Sequence, residues 1–379
     1  MKSLYNHFEV LEDPRDTRGK RHELINILIM TIYGILCGYT DFTNLADFLK
    51  VHEVYFTNLL NLKYGTPSHD TLSNVFSVID SKKFLELFID WIKEIVKDDG
   101  LHLSIDGKAV KSARDAINGG NTPYIVSAFL SDIGLSVGQV KVDDKSNEIT
   151  AIPELIKLLD IENKIITIDA IGTQEEICNL ITSKEKNGDF ISKVKNNQKD
   201  LKDDIQTYFN LGLKRNDNEI VIWETDYEKE HGRIEKRIYY LSYNVDCISN
   251  KDKWKSVNAI GRIDVYRIEN SNEKVTKHYY ILSKPFELLT FMNVTRDHWN
   301  IECSLHWRLD VIMNEDHSRN REGNSINNLS LIRKIVFNLV KLDKSMGEKL
   351  TMKQKMTRYI SDFKSIENLI FNVIPSNFV

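Results

Sequence analysis

The chain has 379 residues, 41% of them hydrophobic and 28% charged, with a formal net charge of −4. That length can bury a sizeable core across two or three domains, and the composition is that of a folded, soluble protein rather than a disordered or fibrous one. The slight acidic excess excludes a globally basic nucleic-acid binder but leaves room for a local basic surface.

Cys37, Cys178, Cys247 and Cys303 lie far apart with no CxxC pair, which points to a reducing compartment and away from a zinc knuckle. The first residues, MKSLYNHFEVLEDPRD, lack the basic-then-apolar pattern of a signal peptide. Residues 5 to about 98 read as mostly helical. Arg15, Arg18, Lys20, Arg21 and His22 form a basic approach to an apolar helix over 23–37. That helix is too short to span a bilayer and carries Asn26 and Thr31, so it is expected to be buried. A short helix over 41–50 follows. Ser68, after the Gly65-Thr66-Pro67 loop, is placed to cap a helix running through Val78. Apolar residues from Phe84 to Val96 repeat at helical spacing.

Asp99-Gly100 marks the expected domain boundary. Beyond it, LHLSID (101–106) alternates Leu101, Leu103 and Ile105 and ends at Asp106; KIITID (164–169) ends at Asp169. Strands of this kind fill the centre of an α/β domain, and sites are built at their carboxyl ends. Two such runs delivering Ile-Asp suggest paired carboxylates suited to a divalent metal, unless each Asp merely opens a turn. Runs 124–130 and 135–142 read as a hairpin, followed by a helix near 151–159, the Asp169 strand, a helix over 173–184 and a strand over 189–194. That order is a mixed sheet, and it lacks the GxGxxG and GK[ST] phosphate loops. Residues 196–285 are polar and strand-rich, and read as a β-rich insertion. Helical periodicity returns near Leu288, breaks in the Asn-rich stretch 314–328 and resumes to about Lys341, before a helical tail over 342–379. The tail is basic from Lys344 to Arg358, as a solvated helix face or a phosphate contact.

In the returning helix, His298, Glu302 and His306 recur every four residues and are expected on one face, with Arg296 close enough to share a cleft. A plain surface helix and a zinc site are the alternatives, although the first His has no adjacent glutamate to act as base.

These segments resemble the H-repeat-associated insertion-sequence proteins, bacterial transposases of the DDE type, over nearly the whole chain. The resemblance rests on Asp13-Pro14-Arg15 through Arg21-His22, Ile105-Asp106-Gly107-Lys108, Ile168-Asp169-Ala170 with Gly172 and Gln174, His231-Gly232-Arg233-Ile234-Glu235, His298-Trp299-Asn300-Ile301-Glu302, and Ser304-Leu305-His306-Trp307 through Asp310 and Glu315-Asp316 to Asn324. It implies an RNase H-like mixed sheet with a β-rich insertion, preceded by a small helical domain: 1–98 transposase-associated, 99–341 catalytic with the insertion at about 196–285, and 342–379 a helical tail. It also implies that Asp106, Asp169 and Glu302 hold two Mg²⁺ ions, or Mn²⁺, with Asp106 shared. Arg296, Arg319, Arg321, Lys108, Arg15, Arg18 and Arg21 would contact DNA, and His298, Trp299, His306, Trp307 and Asp310 would support the site. The two tryptophans are either packing anchors or stack on a displaced base. The expected partners are double-stranded DNA with terminal inverted repeats, target DNA and further copies of the chain, in the cytoplasm at the nucleoid, with no membrane. The implied activity is DNA cleavage and strand transfer; the alternatives are an endonuclease that does not join strands and a silent DNA-binding relic. Three positions depart from the family pattern: Cys303 where Asn is usual, Leu309 where related transposases often carry Lys, and a loosened segment at 193–198.

Overall fold

The computed structural model describes residues 2–18, 20–96, 102–113, 122–142, 148–230, 233–269, 272–347 and 349–374; the expected boundary at Asp99-Gly100 and the His231-Gly232 motif lie outside them. In chain order the helices and strands begin with α1 (Leu4–Phe8), α2 (Leu24–Leu36), α3 (Phe42–Val51), α4 (Glu53–Leu60), α5 (His69–Val78) and α6 (Ser81–Ile95). Next come β1 (His102–Ala109), β2 (Tyr124–Leu130), β3 (Leu135–Val142), α7 (Glu148–Leu158), β4 (Ile165–Ile168), α8 (Glu175–Ile181) and β5 (Asp189–Val194). They are followed by α9 (Lys199–Arg215), β6 (Ile220–Glu224), β7 (Glu228–Glu230), β8 (Arg233–Ser242), β9 (Ala259–Glu269) and β10 (Asn272–Leu282). The chain ends with α10 (Leu288–Asp297), α11 (Trp307–Val311), α12 (Ser325–Leu342), α13 (Met352–Tyr359) and α14 (Phe363–Phe371). Among the described residues no helix is long and apolar enough to cross a membrane.

The chain forms two compact units, one of Met1–Asp98, Gly107–Asn147 and Ile301–Val379, the other of Asp99–Asp106 and Glu148–Asn300. In the first, α2 is buried along its whole length, as its uniformly apolar sequence requires. It packs against α3, α12 and α14. Caps set the helix starts: Asp41 accepts from the Asn44 N–H at 2.9 Å, and Ser68 accepts from the Thr71 N–H at 3.3 Å, as the sequence predicts. β2 and β3 form the expected antiparallel hairpin. Asn338 of α12 binds β3 as a strand would, accepting from the Ser136 N–H at 2.9 Å and donating to its carbonyl at 2.8 Å. The C-terminal helices close on the N-terminal ones: the Phe363 ring meets those of Tyr33, Phe48 and Tyr55, and the Tyr55 hydroxyl donates to Glu367 at 2.9 Å.

The second unit carries a sheet in the order β1-β4-β5-β10-β9-β8-β6, with β7 on β8. β1, β4 and β5 are parallel, and β10 joins β5 antiparallel. The order of strands and helices from β1 to β5 is the RNase H-like one expected. The inserted strands are not a separate sheet, because β10 continues the central one. A helix, α9, precedes them where the sequence reads as strand-rich. Its buried stripe of Leu201, Ile205, Phe209 and Gly212 is regular but narrow, and the polar residues around it mask it. Helix α10 lies against β5 and β8, and Gly261 of β9 permits the close approach: a Cβ there would meet the Phe291 ring at 2.5 Å.

The Asn-rich stretch docks onto the end of α5. Asn324 donates its N–H to the Ser77 carbonyl and its amide to the Ile79 carbonyl, both at 2.9 Å, and Asn328 donates to the Phe76 carbonyl at 2.9 Å. Gly323 has φ +50°, and a Cβ there would lie 2.4 Å from the Ser77 carbonyl oxygen, whereas Gly38 at φ +90° faces open space. Gly323→Ala should therefore cost about 2–4 kcal/mol, combining left-handed strain with overpacking, and Gly38→Ala only about 1–2. Urea unfolding of the two variants checks this, and equal losses would show that the Ser77 contact yields.

Candidate active site

β1 and β4 pair in parallel with Ser104 opposite Thr167 and Ile105 opposite Ile168, so Asp106 and Asp169 come next; Asp169 follows the carboxyl end of β4, whereas β1 does not end at Asp106 as the sequence suggests but runs on to Ala109. Adjacent strands run about 4.8 Å apart, which sets the two carboxylates side by side. Alternation puts His102, Ser104 and Asp106 on one face of β1, with Thr167 and Asp169 on the same face of β4, while Leu103, Ile105, Ile166 and Ile168 fill the other. Asp169 does open a short 3₁₀ turn, Ala170–Gly172, but its side chain does not cap that turn. It holds the Lys195 ammonium at 3.1 and 3.3 Å instead. Burial raises the Asp169 pKa, but the Ala170 N–H, Lys195 and Lys193 outweigh it and hold the carboxyl below its ordinary value.

Behind the two aspartates runs a buried polar chain. The Thr167 hydroxyl lies 2.7 Å from His298 Nδ1 and 2.7 Å from His102 Nε2, and Ser104 lies 3.3 Å from both Thr167 and His102. Burial pushes the His102 pKa down to about 3 and that of His298 to about 4, so both rings are neutral at pH 7. Thr167, His102, Ser104 and Lys195 are absent from the set of site residues chosen from the sequence. The alternation in LHLSID and KIITID does carry the signal for the first three, since it puts them on the aspartates' face.

Glu302 belongs to the first unit and is exposed, on a π-helical segment, Ile301–His306. Helix α10 ends at Asp297, before His298, and Glu302 and His306 lie on the separate π segment, so no continuous α-helix carries all three as the four-residue spacing suggests. Glu302 is exposed, His306 is 8% exposed, and His298 turns to Thr167. Such π segments are frequent at functional sites. Trp299 and Trp307 are 60% and 53% exposed. Among the described residues no group of three or more His, Cys, Asp or Glu is arranged to hold a metal ion.

Within the first unit, Lys108 is largely covered and sits in a set of opposed charges. Its ammonium pairs with Asp310, with Glu315 at 2.7 Å and with Asp316 at 3.7 Å. Burial opposes the Lys108 charge, but Glu315 and Asp310 overcome it and raise the pKa; Glu315 is held far below its ordinary value in spite of its own burial, chiefly by Lys108. Arg333 and Lys334 of α12 complete the set: Arg333 donates to the Met313 carbonyl at 3.2 Å, and Lys334 donates to Gln139 at 2.7 Å. Burial, then Lys108 and Lys334, lowers the His306 pKa to about 3.

The sequence matches two family profiles, one described as DDE_Tnp_1-associated over residues 5–92 and one as Transposase DDE domain over residues 98–339. It is 34% identical over 96% of both chains to "H repeat-associated putative transposase YhhI" of Escherichia coli (strain K12). It is 35% identical to "Putative transposase YncI" of Escherichia coli O157:H7, over 94% of this chain and 91% of that one. A shorter relative, "Inactive transposase YbfQ" of Escherichia coli (strain K12), is 29% identical over 20% of this chain and 92% of its own. The chain belongs to the insertion-sequence transposases of the DDE type.

In this transposase the residues expected on DNA fall into distinct settings. Lys108 faces the carboxylates just described rather than solvent. Arg15 forms a clasp with Asp13 at 2.7 Å and the His22 carbonyl at 2.6 Å, while Arg18 and Arg21 are exposed. Arg296 pairs with Glu228 at 2.8 Å on the surface of the second unit. Arg319 is exposed and lines a polar cavity with His69, Asp70 and His317. Arg321 donates to the Ser112 carbonyl at 2.9 Å, and among the described residues neither Arg319 nor Arg321 pairs with a carboxylate. Leu309 is 1% exposed and packs in the core.

Two outcomes follow from this geometry. Lys108→Met strips Glu315 of its main partner and should cost the transposase about 3–5 kcal/mol, with Lys108→Met/Glu315→Gln recovering part of that loss. Strict additivity in urea denaturation would refute the coupling. The second outcome concerns pH: His102 and His306 are depressed from 6.5 to about 3 by burial, so unfolding takes up protons. Their stabilisation is complete above about pH 6.5 and is lost as pH falls towards 3, by up to about 1.4 kcal/mol per pH unit for each. Unfolding free energies at pH 7, 6 and 5 check this, and His306→Gln should flatten the decline.

Proposed function

We propose that this transposase binds the inverted repeats at the ends of an insertion sequence, cleaves there in a metal-dependent step and joins the freed 3′ end to target DNA, working as a homo-oligomer on that DNA. The observation that carries this reading is the β1–β4 register, which pairs Ile105 with Ile168, the residues immediately before Asp106 and Asp169. Two hard-oxygen donors so placed suit a divalent cation, and Asp169 already holds one positive charge, the Lys195 ammonium. Glu302 is proposed as the third acid on its place in the HWNIE segment and inside the DDE domain match. Mg²⁺, or Mn²⁺, held as two ions by these acids would activate a water or a DNA 3′-hydroxyl and stabilise the departing oxygen.

The chain's own groups have separate work in this reading. Lys195, which now neutralises Asp169, would be released to a phosphate if cations were held there. Neutral His298 and His102 hold Thr167 and add no positive charge of their own beside the aspartates. Arg18, Arg21, Arg296, Arg319 and Arg321 hold phosphates, which position DNA without reading its sequence. Arg15 and Lys108 act on the protein itself, fixing segments that carry those contacts. Recognition of the ends is assigned to the helical residues 1–98.

A silent DNA-binding relic is the second reading, favoured by the shorter relative, which is named an inactive transposase. Cleavage of repeat-ended duplex in Mg²⁺ separates the two. Asp106→Asn, Asp169→Asn and Glu302→Gln should each abolish cutting while sparing duplex binding. A variant that cuts at the parental rate removes that acid from the site, and a parent that binds ends without cutting supports the relic. A parent that cuts but never joins strands is a nuclease.

A further inference from the structure

Arg308 of α11, Lys341 at the end of α12, Lys344 and Lys355 line one cavity of about 230 Å³, together with Asp343 and Thr351. All six residues lie in the first unit. Asp343 contributes the one carboxylate of that lining, and it is already engaged. It accepts from the Ser345 N–H at 2.9 Å, the Ser345 hydroxyl at 2.6 Å and the Tyr359 hydroxyl at 2.6 Å. Lys355 is 7% exposed and donates to the carbonyls of Val340, at 3.1 Å, and Asp343, closing the end of α12. Arg308 donates to the Ser304 carbonyl at 3.3 Å. Among the described residues no carboxylate forms an ion pair with Arg308, Lys341 or Lys355.

Burial lowers the pKa of Arg308 and of Lys355; burial, then Arg308 and Lys355, lowers that of Lys341. These groups therefore repel one another in a partly desolvated space, an arrangement that an entering anion relieves. A guanidinium fork and compact ammonium groups match the oxygens of a phosphate. We propose that this cavity is a phosphate-binding site of the chain. Arg308 lies six residues past Glu302, whereas Lys341, Lys344, Thr351 and Lys355 lie beyond both family matches, so the site goes past the proposed chemistry. The phosphate is either a DNA-backbone diester or a free phosphate.

The test uses the full chain and inorganic phosphate, with sodium chloride at matched ionic strength as control. The parent should show a saturable rise in Tm specific to phosphate, reduced in both Lys341→Met and Arg308→Gln. In a second arm, duplex DNA binding is titrated against salt. If the ligand is DNA backbone, each variant lowers the slope of log affinity against log salt by about one unit. An unchanged slope with a lost phosphate response assigns the site to free phosphate. If neither the phosphate response nor the duplex slope changes in either variant, the site does not exist. Asp106→Asn should respond to phosphate like the parent, which keeps this test separate from that of the catalytic assignment.

Discussion

The parallel pairing of β1 with β4 is the constraint on which the candidate site rests. Parallel strands cannot be joined by a tight turn, and here the hairpin β2–β3 and helix α7 intervene between them. Their register is fixed by alternation: a slip of one residue would turn Ile105 and Leu103 towards the polar face and bury Asp106 among the apolar residues. The same alternation aligns His102, Ser104 and Thr167 beneath the aspartates, where neutral rings and hydroxyls satisfy one another. Asp169 then has Lys195 as its compensating charge. The site is thus an acidic strand edge built over a neutral polar floor.

The first unit solves a different problem, that of burying full charges. Lys108, Arg333 and Lys334 face Asp310, Glu315 and Asp316, and the hydrogen bonds to Met313 and Gln139 supply the partners that charges alone do not. Buried pairs of this kind add little net stability relative to apolar packing, but they tolerate no change of register. Lys108 lies two residues past Asp106 and Asp310 eight past Glu302, so the clamp grips both chain segments next to proposed catalytic acids. The cavity of Arg308 and Lys341 is a different case, in which basic side chains outnumber the single carboxylate of the lining, Asp343.

The sequence by itself determined much of this protein. Alternation and helical periodicity located α2, α3, β2, β3 and β5 almost to the residue, because each has one consistent apolar pattern and clear caps or turns. Its motifs, taken together, were specific enough for the family. Helix α9 escaped because its four-residue stripe is narrow within a polar segment. Only the tertiary structure decided that the inserted strands extend the central sheet through β10, since strand partners are not written in local pattern. It alone replaced the single face of His298, Glu302 and His306 with a π segment, a distortion of backbone bonding that residue spacing does not reveal. It alone turned Lys108 inward and Trp299 and Trp307 outward, because burial depends on which distant residues arrive to cover a side chain.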